Sequence, residues 1–348
     1  MLVLVTGAAG RIGSHVSRLL HERGDSVRGF VLPGDPNTAR LAATGAEIVE
    51  GRLEDRPSVI RAATGVDAVI HLGAALTSRG GTDDQFFEVN MQGTFNVLMA
   101  VRDHAPGIRR VVFASSDSVY FESWRVPPDE LPVTEQHPRR PGLIYGVAKL
   151  AGEEMCLTFQ RAYGIPATIA RFSGVSEPWE WIDPKSVYGK RMFVHEAYTA
   201  LAALPEFHSL GRRGEIEEAR LEALRRLEDG TDQLFVEVAP DGTSPTFCQA
   251  DARDIAAAVI RLMDSPAAVG EAFNLAGPPY VDRDLITHIA TRLGLRCTEI
   301  PTPLVRPSWY LDTSKAERLA GVRITRSIFD MVDEAVAPRA GDAGRGRA

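Results

Sequence analysis

Apolar and polar positions alternate in blocks along the first half of the chain. "LVLVT", residues 2–6, is a short β-branched run that stops at a glycine-rich turn. "RIGSHVSRLLHERG" then puts Ile12, Val16, Leu19 and Leu20 on one helical face, with Gly24 as a stop. Apolar runs return in "SVRGFVL", "AEIVEGRL", "DAVIHLGAA", "RRVVFASS" and "PATIARFSGV", which predict five further strands. Among them, "FFEVNMQGTFNVLMAVRDHA", closed by Pro106 and Gly107, and "YGVAKLAGEEMCLTFQRAYG" predict helices. Strands apolar on both faces and separated by helices predict a doubly wound parallel sheet of the Rossmann type. Such sheets hold ligands beyond the carboxyl ends of their strands.

After Val175 the rhythm changes. "SEPWEWIDPKSVYGKR" is rich in aromatic and turn-forming residues. "GEIEEARLEALRRLEDG" predicts an amphipathic helix, apolar at Ile216, Ala219, Ala223, Leu224 and Leu227, with a Glu222/Arg226 pair one turn apart. "DQLFVEVAPDGTSPTFCQA" predicts a hairpin around an "APDGT" turn. "DARDIAAAVIRLMDSP" reads as a helix and "EAFNLAG" as a strand. The expected organisation is a dinucleotide-binding domain over 1–175 with a return segment at 251–276. A smaller α+β substrate domain covers 176–250 and 277–335, and a disordered tail 338–348.

Composition narrows the function class. A chain of 348 residues is long for a single core, which favours one large domain or two coupled ones. The net charge of −7 argues against a nucleic-acid partner. No apolar run reaches the ~20 residues of a membrane helix, so no membrane partner is expected. Cys156, Cys248 and Cys297 are far apart and form no CxxC pair, so neither disulfides nor a metal site are expected. The cysteines and an opening too short for a signal peptide read as a cytoplasmic protein.

Three short motifs carry candidate chemistry. In "GAAGRIG", Gly7 permits the turn off the strand, Gly10 lets backbone approach a pyrophosphate, and Gly13 lets the helix lie close to the sheet. The helix N-terminus behind them favours an anion. The spacing is GxxGxxG rather than GxGxxG, and the plain alternative is a strand–turn–helix with incidental glycines. In "YGVAK", Tyr145 and Lys149 share one helical face. A phenol titrates near pKa ~10 and is a poor base at neutral pH. An adjacent ammonium is expected to lower that value and make a general acid/base. A Tyr and a Lys at this spacing are also common on plain helix surfaces. In "ASSDS", Ser115 and Ser116 end a strand where a hydroxyl can hold a reacting oxygen.

Taken together, these motifs resemble the extended branch of the short-chain dehydrogenase/reductase superfamily, the NAD-dependent epimerase/dehydratase family that includes UDP-galactose 4-epimerase. The resemblance runs from Leu2 to about Leu319 through "TGAAGRIG", "HLGAA", "VNMQGTFNVL", "VVFASSDSVY", "YGVAK", "ARFSGV", "DARDIAAAV", "EAFNLAGP" and "LDTSKAERLAG". It implies that Gly7, Gly10, Arg11, Ile12 and Gly13 line the cofactor pyrophosphate, with Val31, Leu32 and Leu53 also on the cofactor. Leu72, Gly73 and Ala74 would line the nicotinamide-side ribose, and Asn90 would organise the site. Ser116, Tyr145 and Lys149 would be catalytic, and Phe172 and Ser173 would close over the nicotinamide. Ser116, Gly174 and Arg306 would meet substrate. It also implies a homodimer through the helices that include Phe86–Val101 and Tyr145–Tyr163, with Met91, Phe95, Leu98, Met155 and Phe159 as an apolar seam or facing the sheet.

Several positions have a plainer alternative or depart from the family pattern. Asn90 also reads as a helix cap, His71 as packing and Cys156 as core. Val31 and Leu32 stand where NAD-preferring members carry an acid. NAD is the expected cofactor, with NADP left open by Arg11, Arg28 and Arg40. Arg52 replaces an adenine-contacting Asp. Ser118 replaces the Glu of the dehydratases, which argues against 4,6-dehydration. Asp117 reads as an extra catalytic acid or as a solvated loop carboxylate. Gly174 stands where sugar-nucleotide enzymes have Asn, and the Arg before "TFCQ" is missing. Trp179, Trp181 and Tyr188 suit base stacking or core packing equally. The expected function is an epimerase-type enzyme moving hydride to and from a secondary alcohol carbon of a small molecule, such as a nucleotide sugar. The alternatives are a net dehydrogenase or carbonyl reductase on a smaller or more apolar substrate, and a non-catalytic dinucleotide sensor.

Overall fold

The computed structural model describes residues 1–76, 81–121, 126–203, 212–302 and 305–337, without the side chains of Arg40 and 212–217. The tail expected at 338–348 lies outside the described residues, as does the Ile216 side chain.

Chain contacts divide the protein into two units. Unit 1 comprises Met1–Val175, Cys248–Gly277 and Trp309–Thr325, and unit 2 the remainder. Unit 1 opens with β1 (Leu2–Thr6), α1 (Arg11–Glu22), β2 (Ser26–Val31), α2 (Thr38–Ala42) and β3 (Glu47–Glu50). Next come α3 (Arg56–Ala63), β4 (Ala68–His71) and a composite helix. That helix starts as α4 (Asp83–Gln85), widens to a π-helical stretch at Phe86–Gln92 and continues as α5 (Gly93–His104). β5 (Arg110–Ser116), α6 (Ile144–Tyr163), β6 (Ala167–Phe172) and the short β7 (Gly174–Ser176) follow. In unit 2, α7 (Val194–Ala202) and α8 (Arg212–Leu227) precede β8 (Gln233–Val238), and β9 (Thr246–Asp251) leads back towards unit 1. α9 (Ala252–Asp264) and β10 (Ala272–Leu275) belong to unit 1, and β11 (Pro279–Val281), α10 (Asp282–Leu293) and β12 (Arg296–Pro301) to unit 2. α11 (Ser314–Ala320) lies in unit 1 and α12 (Ile328–Val336) in unit 2.

The core of unit 1 is a seven-stranded sheet in the order β3-β2-β1-β4-β5-β6-β10. Its pairs are all parallel, with Val5 opposite Gly29 and Ile70 on neighbouring strands. The chain reverses direction across the sheet beside β1, which puts a crevice at the carboxyl ends of β1 and β4. One face is covered by α1 and α9 through Val16, Leu20, Ile255 and Val259, all fully buried. The other is covered by α3, α5 and α6 through Val59, Val97, Leu98 and Phe159. Both faces are dry, which explains the near-continuous apolar strands.

The local structure departs from the sequence reading at several points. The predicted helix at 86–105 carries a π-helical stretch, so Asn90 sits inside a helical run and does not cap it. The expected hairpin is absent. The turn closes, with Ala239 N–H donating to Thr243 O at 2.8 Å, but β8 pairs in parallel with β12, Leu234 opposite Cys297. The strand that β8 pairs with lies some sixty residues away and runs parallel, which no local pattern announces. Trp309–Thr325, expected in the substrate domain, belongs to unit 1. There Ala316, Ala320 and Val322 pack into the α1/α9 face, and Lys315 bonds Glu271 at 2.8 Å.

In unit 2, Trp181 stacks on Tyr188 at 4.5 Å and donates to Ser176 Oγ at 2.8 Å, so both are committed to packing. Trp179 is exposed. α8 buries Leu224 and forms the predicted Arg226–Glu222 pair at 3.1 Å.

Candidate active site

The turn after β1 is built by close approach. Gly7 has φ +66° and packs so tightly on the loop after β4 that a Cβ would lie 2.9 Å from Gly73 Cα. At Gly13 a Cβ would meet Gly7 O at 2.2 Å. Only hydrogen fits at either position. No side chain caps α1 and its first turn carries no acid, which leaves the positive end of the helix for an outside anion.

This turn forms one wall of a cavity of about 460 Å³ contained in unit 1. Gly7, Gly10, Arg11, Ile12 and Gly13 line it, as do Val31, Leu32, Leu53, Leu72, Gly73 and Ala74. Tyr145, Lys149 and Phe172 stand at its other end. The volume, the uncapped helix and the glycine cradle fit a dinucleotide. Ser115 and Arg52 also line the cavity, as do Asp35 and Glu54, to which the sequence motifs gave no part in it. Of the arginines that left cofactor choice open, Arg28 is engaged by Glu47 at 2.9 Å and by two carbonyls. Arg11 donates to Val175 O at 2.8 Å.

Beneath the cavity wall, Asn90 bonds Ala75 in both directions, accepting from its N–H at 2.7 Å and donating to its carbonyl at 3.0 Å. Asn90 thus acts on the lining loop from behind. His71 is buried between Thr6 Oγ1, at 2.6 Å, and Thr94 Oγ1, at 3.1 Å. Burial, then the Lys149 charge, pulls its pKa down to about 3, so it is a neutral brace. Cys156 is buried core.

The two serines that end β5 separate by function of place. Ser115 turns inward and donates to Glu153 Oε1 at 2.5 Å. Ser116 Oγ instead reaches Asp117 Oδ1 at 3.2 Å and Ser118 Oγ at 3.0 Å. The Tyr145 ring is braced edge-on by Phe86 of the π-helical stretch, 5.6 Å between centroids. Lys149 Nζ donates to Ala114 O at 2.8 Å and lies 5.8 Å from the Tyr145 ring centroid.

Electrostatics here overturn one expectation. Lys149 does not lower the Tyr145 pKa in this arrangement. Burial, then the Asp117 charge, pushes the phenol above its ordinary value, with the Ser116 hydroxyl opposing them. Lys149 itself is brought down to about 8 by burial, with Glu153 opposing. Asp117 is buried, not the solvated loop carboxylate of the plain reading. Burial raises it to about 7 against its hydrogen bond from Ser116.

Ser173 is buried, with Gly174 O 3.5 Å from its hydroxyl. Gln249 presses on Gly174, where a Cβ would meet its Oε1 at 2.0 Å. Arg306 lies in unit 2, its guanidinium 5.2 Å from the Phe247 ring centroid.

The sequence model of the NAD dependent epimerase/dehydratase family matches residues 3–192. The chain belongs to that family. Its match covers the glycine turn, the Ser116–Tyr145–Lys149 cluster and the Phe172 strand end. A solved short-chain dehydrogenase/reductase superfamily protein from Agrobacterium tumefaciens, with bound NAD, is 32% identical, with a TM-score of 0.82 over 97% of this chain and 96% of that one. UDP-glucuronate 4-epimerase 1 of Arabidopsis thaliana is 35% identical over 189 residues, 51% of this chain and 43% of its own. The putative UDP-glucose 4-epimerase of Methanocaldococcus jannaschii is 34% identical over 195 residues, 54% of this chain and 60% of its own. The chain spans about half the length of these curated relatives. Among the described residues no helix is long and apolar enough to cross a membrane.

Proposed function

We propose that this family member is a nucleotide-sugar epimerase-type enzyme that holds NAD in the unit 1 cavity. The observation that carries the reading is that Tyr145 and, one turn behind it, Lys149 line the same cavity as the glycine cradle, with Lys149 Nζ 5.8 Å from the Tyr145 ring centroid. Gly7, Gly10, Arg11, Ile12 and Gly13 would hold the pyrophosphate, and Val31, Leu32 and Leu53 would wall the adenosine. Asn90 fixes the Leu72–Gly73–Ala74 loop, and Phe172 with Ser173 closes the nicotinamide end. Bound NAD supplies a hydride acceptor and donor.

Tyr145 Oη would take the proton of the substrate hydroxyl in the oxidative half of the cycle and give it back in the reductive half. Atoms and charge balance over the cycle. Ser116 Oγ holds the reacting oxygen and Asp117 stands behind it as an additional acid. The Lys149 ammonium binds ribose hydroxyls. Because Tyr145 is pushed up, it starts as the phenol, and its proton moves only once substrate or cofactor brings positive charge closer. Arg306, in unit 2, is the proposed diphosphate contact, and the exposed backbone of Gly174 a proposed substrate contact.

Tyr145→Phe tests the reading: it should abolish turnover and keep NAD binding by fluorescence titration, and an unchanged rate would sink it. Gly174 supports a second reading, a net dehydrogenase or carbonyl reductase, since Gln249 fills the space of a larger side chain there. NAD that survives purification and dialysis favours the epimerase; NAD lost freely favours the reductase.

A homodimer is part of the same proposal. Phe87, Phe95 and Val147 are exposed on the π-helical stretch, α5 and α6. Leu98 and Phe159, expected among the seam residues, are buried against the sheet instead. The free cysteines support a reducing, cytoplasmic setting.

A further inference from the structure

A buried ion pair ties the helix of Tyr145 and Lys149 to the two strands beneath it. Arg171, the last residue but one of β6, donates from Nε to Glu153 Oε1 at 2.8 Å and from Nη2 to Glu153 Oε2 at 2.7 Å. The side chains are 5% and 1% exposed, so neither charge is screened by water. Ser115 of β5 donates to the same carboxylate at 2.5 Å. Arg139 reaches Glu153 Oε2 at 3.5 Å from the loop before α6. The free end of Arg171 donates to Tyr120 Oη at 2.7 Å, which donates to Asn274 Oδ1 of β10 at 2.8 Å. One carboxylate thus gathers donors from β5, β6 and the loop before α6, and the network continues through Tyr120 to β10. Replacing such a pair by apolar residues commonly costs a fold nothing, so stability alone does not explain its place.

That place is one helical turn beyond Lys149. Four residues on, Glu153 lies on the same face of α6 and below the cavity. We propose that Glu153 is a positioning residue for the acid/base pair. Clamped by Arg171 and Ser115, it fixes the register of α6 over β5 and β6 and keeps Lys149 an ammonium at the cavity wall. The inference rests on the reading above for what the ammonium is used for, not for whether Glu153 sustains it.

The other groups around Lys149 do not supply that charge. From β4, His71 is neutral and would repel the ammonium if it were protonated. Asp117, just past β5, is ionised by the Lys149 midpoint, but its carboxylate is engaged by the Ser116 hydroxyl and does not raise Lys149. On α6 itself Tyr145 stays a phenol, and the acid of the π-helical stretch, Glu88, is exposed. The Phe113 ring, 5.3 Å from Nζ, adds a weaker cation–π attraction from β5. Glu153 is the carboxylate that raises Lys149 against the pull of burial.

The test reads the Lys149 titration directly, without turnover. Lys149 lines the cavity, so a small anhydride can reach it, and its acetylation against pH is followed by mass spectrometry in the parent and in Glu153→Gln. Glutamine keeps the shape and the Arg171 Nε bond to Oε1, gives up the Nη2 bond, and loses the charge. The expected result is a midpoint lower by about one pH unit, a roughly fivefold rise in the reactive fraction near pH 7. Should the single variant fail to fold, Glu153→Gln/Arg171→Gln removes both buried charges together, and its midpoint should also fall. A folded variant whose Lys149 midpoint matches the parent overturns the proposal. If Tyr145→Phe keeps full turnover while the Glu153 shift is observed, the functional reading fails and the Glu153 assignment stands.

Discussion

Buried beside the Ser116 hydroxyl, the Asp117 carboxyl keeps its proton up to about pH 7, well above the ordinary aspartate range. Between the two values the native chain binds more protons than the unfolded one, so stability falls as pH rises through that window. Asp117→Asn should therefore be more stable than the parent at pH 8, by something on the order of a few kcal/mol, and the gain should vanish near pH 4. Urea midpoints at the two pH values check this; a gain of equal size at both would mean a packing effect. The same exchange removes the charge that helps hold the Tyr145 phenol up, so the pH at which that phenol ionises should fall. At this scale the sequence was informative where chemistry depends on local spacing, as in the Tyr145/Lys149 pair. It was silent where chemistry depends on burial. Nothing in "ASSDS" says that Ser115 turns towards Glu153 while Ser116 turns towards Asp117 and Ser118, because Glu153 meets Ser115 only across the packed face between α6 and β5.

Elements carry the geometry that those residues need. The glycine turn was legible because a strand, three glycines and a helical face occur in order. The structure adds what each glycine avoids. Gly13→Ala would drive a Cβ into the Gly7 carbonyl and the Ala8 backbone, at 2.2 and 2.7 Å. The turn must open, so NAD affinity should fall a hundredfold or more, about 2.7 kcal/mol, with a smaller loss of thermal stability. Calorimetric titration with NAD reads the first, and an affinity within threefold of the parent would contradict the cradle. The π-helical stretch was not legible, since the apolar spacing of "FFEVNMQ" satisfies an ordinary helix as well. Its consequence is visible on the outside, where Phe87 and Phe95 are exposed while Leu98 is buried. Phe95→Asp should leave the melting temperature of the isolated chain nearly unchanged yet shift the mass seen by light scattering from dimer to monomer. A variant that stays dimeric removes this helix pair from the proposed interface.

At the scale of the whole chain, unit 1 is assembled from three separate stretches, and only the first two were foreshadowed by pattern. Trp309–Thr325 shows no strong period, and it joins unit 1 through tertiary packing and an edge contact, Val133 N–H donating to Tyr310 O at 2.9 Å. The returning stretches are integral to the core. Ile255, Val259 and Phe273 are fully buried in the same cluster as Val16 and Leu20. β10 completes the sheet beside β6, and the buried Arg110 finds its acceptors at Leu262 O and Ser265 O as well as at Thr168 Oγ1. A fragment of residues 1–175 would keep the glycine turn, Tyr145 and Lys149 but lose α9, β10 and α11. Uncovering even five such apolar side chains forfeits about 1.5–3 kcal/mol each, which matches or exceeds the net 5–15 kcal/mol by which domains are stable. It also leaves Arg110 without two of its buried acceptors, at a further cost. The fragment should therefore show no cooperative thermal transition and no NAD binding. Adding residues 248–325 to it on a flexible linker should restore both, as followed by circular dichroism and calorimetric titration with NAD. A fragment that melts cooperatively by itself would show that the family-matched stretch is a self-sufficient domain and that the returning segments only decorate it.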